Sequence, residues 1–129
     1  MEGGLLDVLE DNGVGCITFS SLAQGLLTNK YLNGIPADSR AASHRGNGAL
    51  EEGSITEETL GKVRQLNQLA QERGQSLAQM SLAWVLKDPR ITSVIVGASR
   101  PEQVLDSVQC LKNYSFAPEE IARIDQILN

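Results

Sequence analysis

A strand-like run, Val94-Ile95-Val96, ends on Gly97 and is followed by Ala98-Ser99-Arg100-Pro101-Glu102-Gln103. Pro101 suits the first position of a helix, where a missing N–H leaves no bond unmade. A helix N-terminus presents unpaired amides and a positive partial charge, which together make a place for phosphate. Gly97 lets a ligand approach the backbone closely. Ser99 adds a hydroxyl donor, and the planar guanidinium of Arg100 suits a phosphate monoester. From local sequence alone the plainer alternative weighs about equally: Ser99 as a helix N-cap and Arg100 as solvated surface.

A second stretch, Phe19-Ser20-Ser21-Leu22-Ala23-Gln24-Gly25, follows the apolar run 14–19. In parallel α/β folds, ligands gather where strands end. Phe19 could stack there on a flat heterocycle, although a single phenylalanine is more often core. Lys30, Arg40 and Arg45 bring positive charge into the segment beyond, or stand as scattered solvated charges. His44 lies in the polar stretch Ser43-His44-Arg45-Gly46 and reads as solvated rather than catalytic. Tyr31 and Tyr114 have no lysine–aspartate setting nearby. Cys16 and Cys110 lack metal-ligand spacing and read as two buried thiols of a reducing compartment.

Elements that position these residues can be read from periodicity and punctuation. Leu5, Leu6, Val8 and Leu9 predict a short helix closed by Asn12-Gly13. The runs 14–19 and 91–96 predict short strands, the first buried on both faces. The segment 33–55, opened by Asn33-Gly34-Ile35-Pro36, predicts a long flexible loop of the length often reserved for function. Thr56 caps a helix with Glu57 and Glu58 in its first turn and Leu60, Val63, Leu66, Leu69 and Ala70 on one face; Gly74 stops it. Ser76 and Gln79 have the spacing of a capping box before a mostly apolar helix, which Asp88-Pro89 ends. A helix from Pro101 should bury Val104, Leu105, Val108 and Leu111, and a last one from Pro118 should bury Ile121, Ile124 and Leu128.

Strands alternating with helices imply parallel pairing through crossovers. Two strands do not make a covered parallel sheet, so the chain reads as a piece of a larger α/β fold. Its 129 residues are 41% hydrophobic and 21% charged, as in ordinary globular domains. A net charge of −5 argues against nucleic acid or an anionic membrane as partner, so an anionic ligand needs a local basic site. No apolar run has the length of a membrane span, and the start has no secretory character; a cytoplasmic location is the expectation.

Three stretches together resemble the aldo-keto reductases: GVGCITFSSLAQGLLTNKYLNGIPADSR (13–40), SLAQMSLAWVLKDPRITSVIVGASRPEQV (76–104) and FAPEEIARIDQIL (116–128). The likeness is nearest to the subgroup holding potassium-channel β subunits and bacterial reductases of glyceraldehyde 3-phosphate. It implies that 14–19 and 91–96 are the seventh and eighth strands of a (β/α)₈ barrel. The whole chain is then one partial barrel: its last two β/α units plus a terminal helix. It implies NADPH as cofactor, with Phe19 stacking on the nicotinamide and Ser20, Leu22, Ala23 and Gln24 lining the pyrophosphate side. Lys30 and Arg40 fall on the loop that folds over the dinucleotide. Gly97, Ser99, Arg100 and Gln103 fall on the adenosine 2′-phosphate site, and Asp106 and Ser107 face the adenine. The sequence departs from the family at Ser21, where proline is usual, and at Asp106-Ser107, where Glu-Asn is usual. The family's catalytic tyrosine, lysine, aspartate and histidine have no match here. A complete barrel needs roughly 250 residues, so the resemblance implies a fragment that reduces no carbonyl by itself. A small carbonyl substrate would be met through the absent N-terminal half. A non-catalytic nucleotide-binding or interaction module, and a self-associating fragment forming a homo-oligomer through strand edges, remain the other readings.

Overall fold

The computed structural model describes residues 4–28 and 56–129. Lys30, Tyr31, Arg40, His44, Arg45 and the expected loop 33–55 lie outside the described residues.

Helix α1 (Leu5–Asp11) ends where Gly13 takes φ +66°, a backbone turn that suits a residue without Cβ. Strand β1 (Cys16–Thr18) follows, then a 3₁₀ turn at Ala23–Gly25. Helix α2 (Glu57–Glu72) is capped by Thr56, whose side chain accepts from the Thr59 amide at 3.1 Å. Gly74, at φ +70°, closes it. The capping box opens helix α3 (Leu77–Leu86): Gln79 N donates to Ser76 Oγ at 3.2 Å, and Ser76 N donates to Gln79 Oε1 at 3.0 Å. Strand β2 (Ile91–Val94), helix α4 (Pro101–Val108), a 3₁₀ turn (Gln109–Lys112) and helix α5 (Pro118–Leu128) complete the order.

The two strands pair in parallel, with Cys16 opposite Ile91 and Thr18 opposite Val94. Register shifts by one residue between Cys16 and Ile17, and Thr92 is the residue left over. Thr92 turns its hydroxyl to accept from the Cys16 amide at 3.1 Å. Room for this exists because position 15 is glycine: a Cβ there would lie 2.7 Å from Thr92 Oγ1.

Most of the buried apolar surface belongs to the helices. Val63, Leu66, Leu69 and Ala70 of α2 pack on Leu77 and Met80 of α3 and on Ile124 of α5. Trp84 and Phe116 meet edge to face, with ring centres 5.2 Å apart. Arg73, its side chain nearly fully buried, lies 3.9 Å from the Phe116 ring centre and pairs with Glu120 at 2.6 Å. It also donates to the carbonyls of Asn113 (3.3 Å) and Ser115 (2.9 Å). Burial alone would raise the Glu120 carboxyl. The Ala117 amide and the Arg73 guanidinium outweigh it and hold the group below its ordinary value. At the other end, Arg90 joins Asp88 to Asp7 of α1 and holds the Asp88 carboxyl far below the usual range.

Several sequence expectations need correcting. Both strands are shorter than the apolar runs 14–19 and 91–96 that predicted them. Strand β1 is not buried on both faces: Ile17 is 61% exposed and Phe19 78%. Val104, Leu105, Val108, Leu111 and Leu128 were expected inside but stand exposed. Their helical spacing is correct. No described element covers that side, and an amphipathic pattern records only what a residue seeks. Cys16 and Cys110 are buried free thiols, as expected, and burial pushes the Cys110 thiol up. Among the described residues no helix is long and apolar enough to cross a membrane.

Candidate functional site

The C-terminal ends of β1 and β2 open side by side, because parallel strands in register must end together. A cleft of about 1590 Å³ lies over these ends, walled by the segment 19–25 on one side and by the turn 95–100 with α4 on the other. It brings together ten residues singled out from sequence: Phe19, Ser20, Leu22, Gln24, Gly97, Ser99, Arg100, Gln103, Asp106 and Ser107. Ala23 is not among the lining residues; its amide donates to Ser20 O at 2.8 Å beneath the turn. Lys30 and Arg40 fall outside the described residues.

The wall formed by 19–25 is shaped by unusual backbone. Ser20 (φ +58°), Ala23 (φ +46°) and Gln24 (φ +55°) all occupy the left-handed region without being glycine. Such conformations cost about 1–3 kcal/mol each and persist where surrounding contacts over-determine them, commonly at ligand sites. Below them Thr18, nearly fully buried, shares a 3.5 Å contact between its hydroxyl and that of Ser21. Phe19 lines the cleft and is largely exposed.

On the opposite wall, Arg100 rather than Ser99 occupies the N-cap of α4, without a side-chain cap bond. Ser99 instead directs two donors at one acceptor. Its amide lies 2.8 Å from Gln103 Oε1, and its hydroxyl 3.2 Å from the same atom. Both Ser99 donors thus meet on one protein oxygen, that of the Gln103 carboxamide. Arg100 makes no ion pair or hydrogen bond with any described side chain, so its charge is available to a ligand. Among the described lining residues it is the only cation, set against Glu102 and Asp106. A Cβ on Gly97 would meet no atom within 4 Å, so no protein neighbour fills the space beside it.

Two features of the site were not read from sequence. Ser76 and Ala78, at the start of α3, also line the cleft. The capping box located that helix end along the chain, yet only packing brings it beside α4. Asp106 is likewise committed: its Oδ1 accepts from Gln79 Nε2 at 2.7 Å. Among the described residues no group of three or more histidine, cysteine, aspartate or glutamate side chains could hold a metal ion.

An open turn and an exposed aromatic lie at the mouths of adjacent parallel strands, as at the C-terminal face of a (β/α)₈ barrel. Comparison with known proteins agrees: the Aldo/keto reductase family model matches residues 1–129, and the chain belongs to that family. It is 59% identical over 128 residues to an L-glyceraldehyde 3-phosphate reductase of Escherichia coli O157:H7, covering 97% of this chain and 36% of the relative. It is 37% identical over 133 residues to a putative voltage-gated potassium channel subunit beta of Schizosaccharomyces pombe, covering 99% of this chain and 38% of that one. Among solved structures it is similar to the glycerol dehydrogenase of Gluconobacter oxydans, with a TM-score of 0.71 at 25% identity. That match covers 96% of this chain and 37% of the barrel. The chain thus spans little more than a third of these relatives, and its fold is the C-terminal portion of their barrel.

Proposed function

We propose that this chain is the NADPH-binding portion of a carbonyl-reducing barrel. The observation that carries the reading is the convergence of the Ser99 amide and hydroxyl on a single oxygen, with the unpaired Arg100 beside it. Such an arrangement suits the adenosine 2′-phosphate and favours NADPH over NADH. Phe19 would stack on the nicotinamide, and the strained turn at Ser20, Leu22, Ala23 and Gln24 would line the pyrophosphate. Lys30 and Arg40 would contribute charge from the segment that follows, while Ser107 and the free oxygen of Asp106 would face the adenine.

NADPH supplies a hydride to the carbonyl carbon, and the alcohol oxygen takes a proton from a general acid. In this reading the chain binds and orients the cofactor, and the earlier strands of the barrel supply that acid. The relatives' names make L-glyceraldehyde 3-phosphate the first aldehyde to try. Fluorescence titration of the chain with NADPH and NADH tests the reading. We expect NADPH to bind about tenfold tighter or more, and Arg100→Leu to remove the difference. Equal affinity for the two cofactors in the unaltered chain would rule out the 2′-phosphate assignment.

One observation supports a second reading for the chain in isolation. Leu5, Val8, Ile17, Ile95, Val104 and Leu105 are all exposed, and apolar surface beside unpaired strand edges drives self-association. Sedimentation across a range of concentrations separates a monomer from an assembly of copies.

A further inference from the structure

Helix α4 carries much of the cleft wall, yet it has no buried residue. Its apolar side chains Val104, Leu105 and Val108 are 46%, 66% and 53% exposed. Burial therefore does little to fix where this helix lies. The nearest hydrophobic anchor is Cys110, in the turn after it, which packs with Leu82 and Ala83 of α3. Ser99 and Gln109 bond to α4 from the turns at its own two ends; among the described residues only one side chain from elsewhere in the fold does so. That is Gln79, whose Nε2 donates to Asp106 Oδ1 at 2.7 Å and lies 3.3 Å from Asp106 O. The other end of the same carboxamide is also engaged, since Oε1 accepts from the Ser76 amide at 3.0 Å. Ser76 and Asp106 both line the cleft.

From this geometry we infer that Gln79 is a positioning residue for the cofactor site: its carboxamide fixes α4 against the start of α3 and so sets the width of the phosphate-binding cleft. The inference rests on the dinucleotide reading above. It needs a residue that accepts at one end and donates at the other, which glutamine does and glutamate does not. Glutamate serves equally well as an acceptor at the third position of a capping box. Gln79→Glu therefore keeps the helix cap while placing a carboxylate against Asp106.

The test measures NADP⁺ affinity by titration, and amide hydrogen exchange across Pro101–Val108, in the unaltered chain and three variants. Gln79→Glu should bind about tenfold more weakly, the scale of one lost charge-assisted bond, and its α4 amides should exchange faster while those of α3 do not. Asp106→Asn keeps an acceptor for Gln79 Nε2, so its α4 amides should keep the parent's protection; because Asp106 itself lies in the cofactor site, the affinity of this variant serves as the reference for the double variant. The double variant Gln79→Glu, Asp106→Asn rebuilds the bridge with its donor reversed, and should restore the protection of α4 and raise affinity to that of Asp106→Asn. Parent-like binding and exchange in Gln79→Glu would overturn the inference, and so would a double variant as impaired as Gln79→Glu. If the unaltered chain binds no NADP⁺, the cofactor reading falls, and the exchange pattern still decides whether Gln79 fixes α4.

Discussion

The helical layer and the sheet side of this molecule are built to different standards. Between α2, α3 and α5, Leu69, Ala70 and Leu77 are at most 1% exposed, and the buried Arg73 guanidinium pairs with Glu120 and two backbone carbonyls. On the sheet side, Ile17, Phe19, Ile95 and Val96 all face outward. The same chain thus finishes one core and leaves another half made. A parallel strand in a barrel is covered by other strands' side chains within and by helices without, and these residues supply only one of the two. The candidate site lies on the unfinished side, where the cleft is open and Ser20, Ala23 and Gln24 carry strained backbone.

Substitution of Leu77 by alanine should have the largest effect, because it empties a site that is 0% exposed between three helices. Chemical denaturation should show a loss of about 2–5 kcal/mol. Ile17→Ala, equally apolar and in a strand, should cost the isolated chain no more than about 0.5 kcal/mol. Equal losses for the two would break the contrast, since they would mean that Ile17 is covered in solution. A copy of the chain seated on the sheet would have that effect, and the loss would then depend on concentration.

How far sequence could reach follows the same division. Thr56, Gly74, Ser76, Asp88-Pro89 and Pro101 marked helix ends correctly, because caps and breakers act through bonds within a few residues. The face Leu60, Val63, Leu66, Leu69 and Ala70 was legible because the helices that cover it are in this chain. The faces of Val104 and Ile17 were misread because their spacing says nothing of whether a cover is present. In the site, the turn into α4 was legible from Gly97 and Pro101. The pairing of Ser99 with Gln103 and of Gln79 with Asp106 was not, since side chains four or 27 positions apart meet only once backbone geometry is set. Positive φ at Ser20, Ala23 and Gln24 was equally hidden: without glycine, only tertiary contacts can impose it.

The polar anchor of the finished side is testable through pH. Arg73→Ala would remove the guanidinium from Glu120 and from the carbonyls of Asn113 and Ser115, leaving Glu120 its Ala117 amide and Asn113 its Gln75 donor. Removing one partner of a buried pair costs about 3 kcal/mol or more. The folded-state carboxyl of Glu120 lies below its ordinary value. Its stabilisation is therefore present above the unfolded glutamate range of about 4 and is lost as pH falls through the lower folded value. Between neutral pH and the acid limb, the parent should lose more stability than Arg73→Ala. Parallel acid limbs in the two proteins would show that Glu120 is held by its own backbone bond and not by Arg73.

A smaller effect, on the sheet side, should come from Gly15→Ala. The added Cβ would sit 2.7 Å from Thr92 Oγ1, and that hydroxyl is the acceptor of the Cys16 amide. Rotating Thr92 away relieves the clash and leaves a strand amide without its partner, at a cost of about 1–3 kcal/mol. Gly15→Ala combined with Thr92→Ser separates steric from polar loss, because serine keeps the hydroxyl and frees its rotamer. If the pair recovers stability, the bulge at Cys16 and Ile17 is held by a movable hydroxyl. If it does not, the strands themselves cannot part by the few tenths of an ångström required, and the two-stranded sheet is as rigid as the helical core despite being half covered.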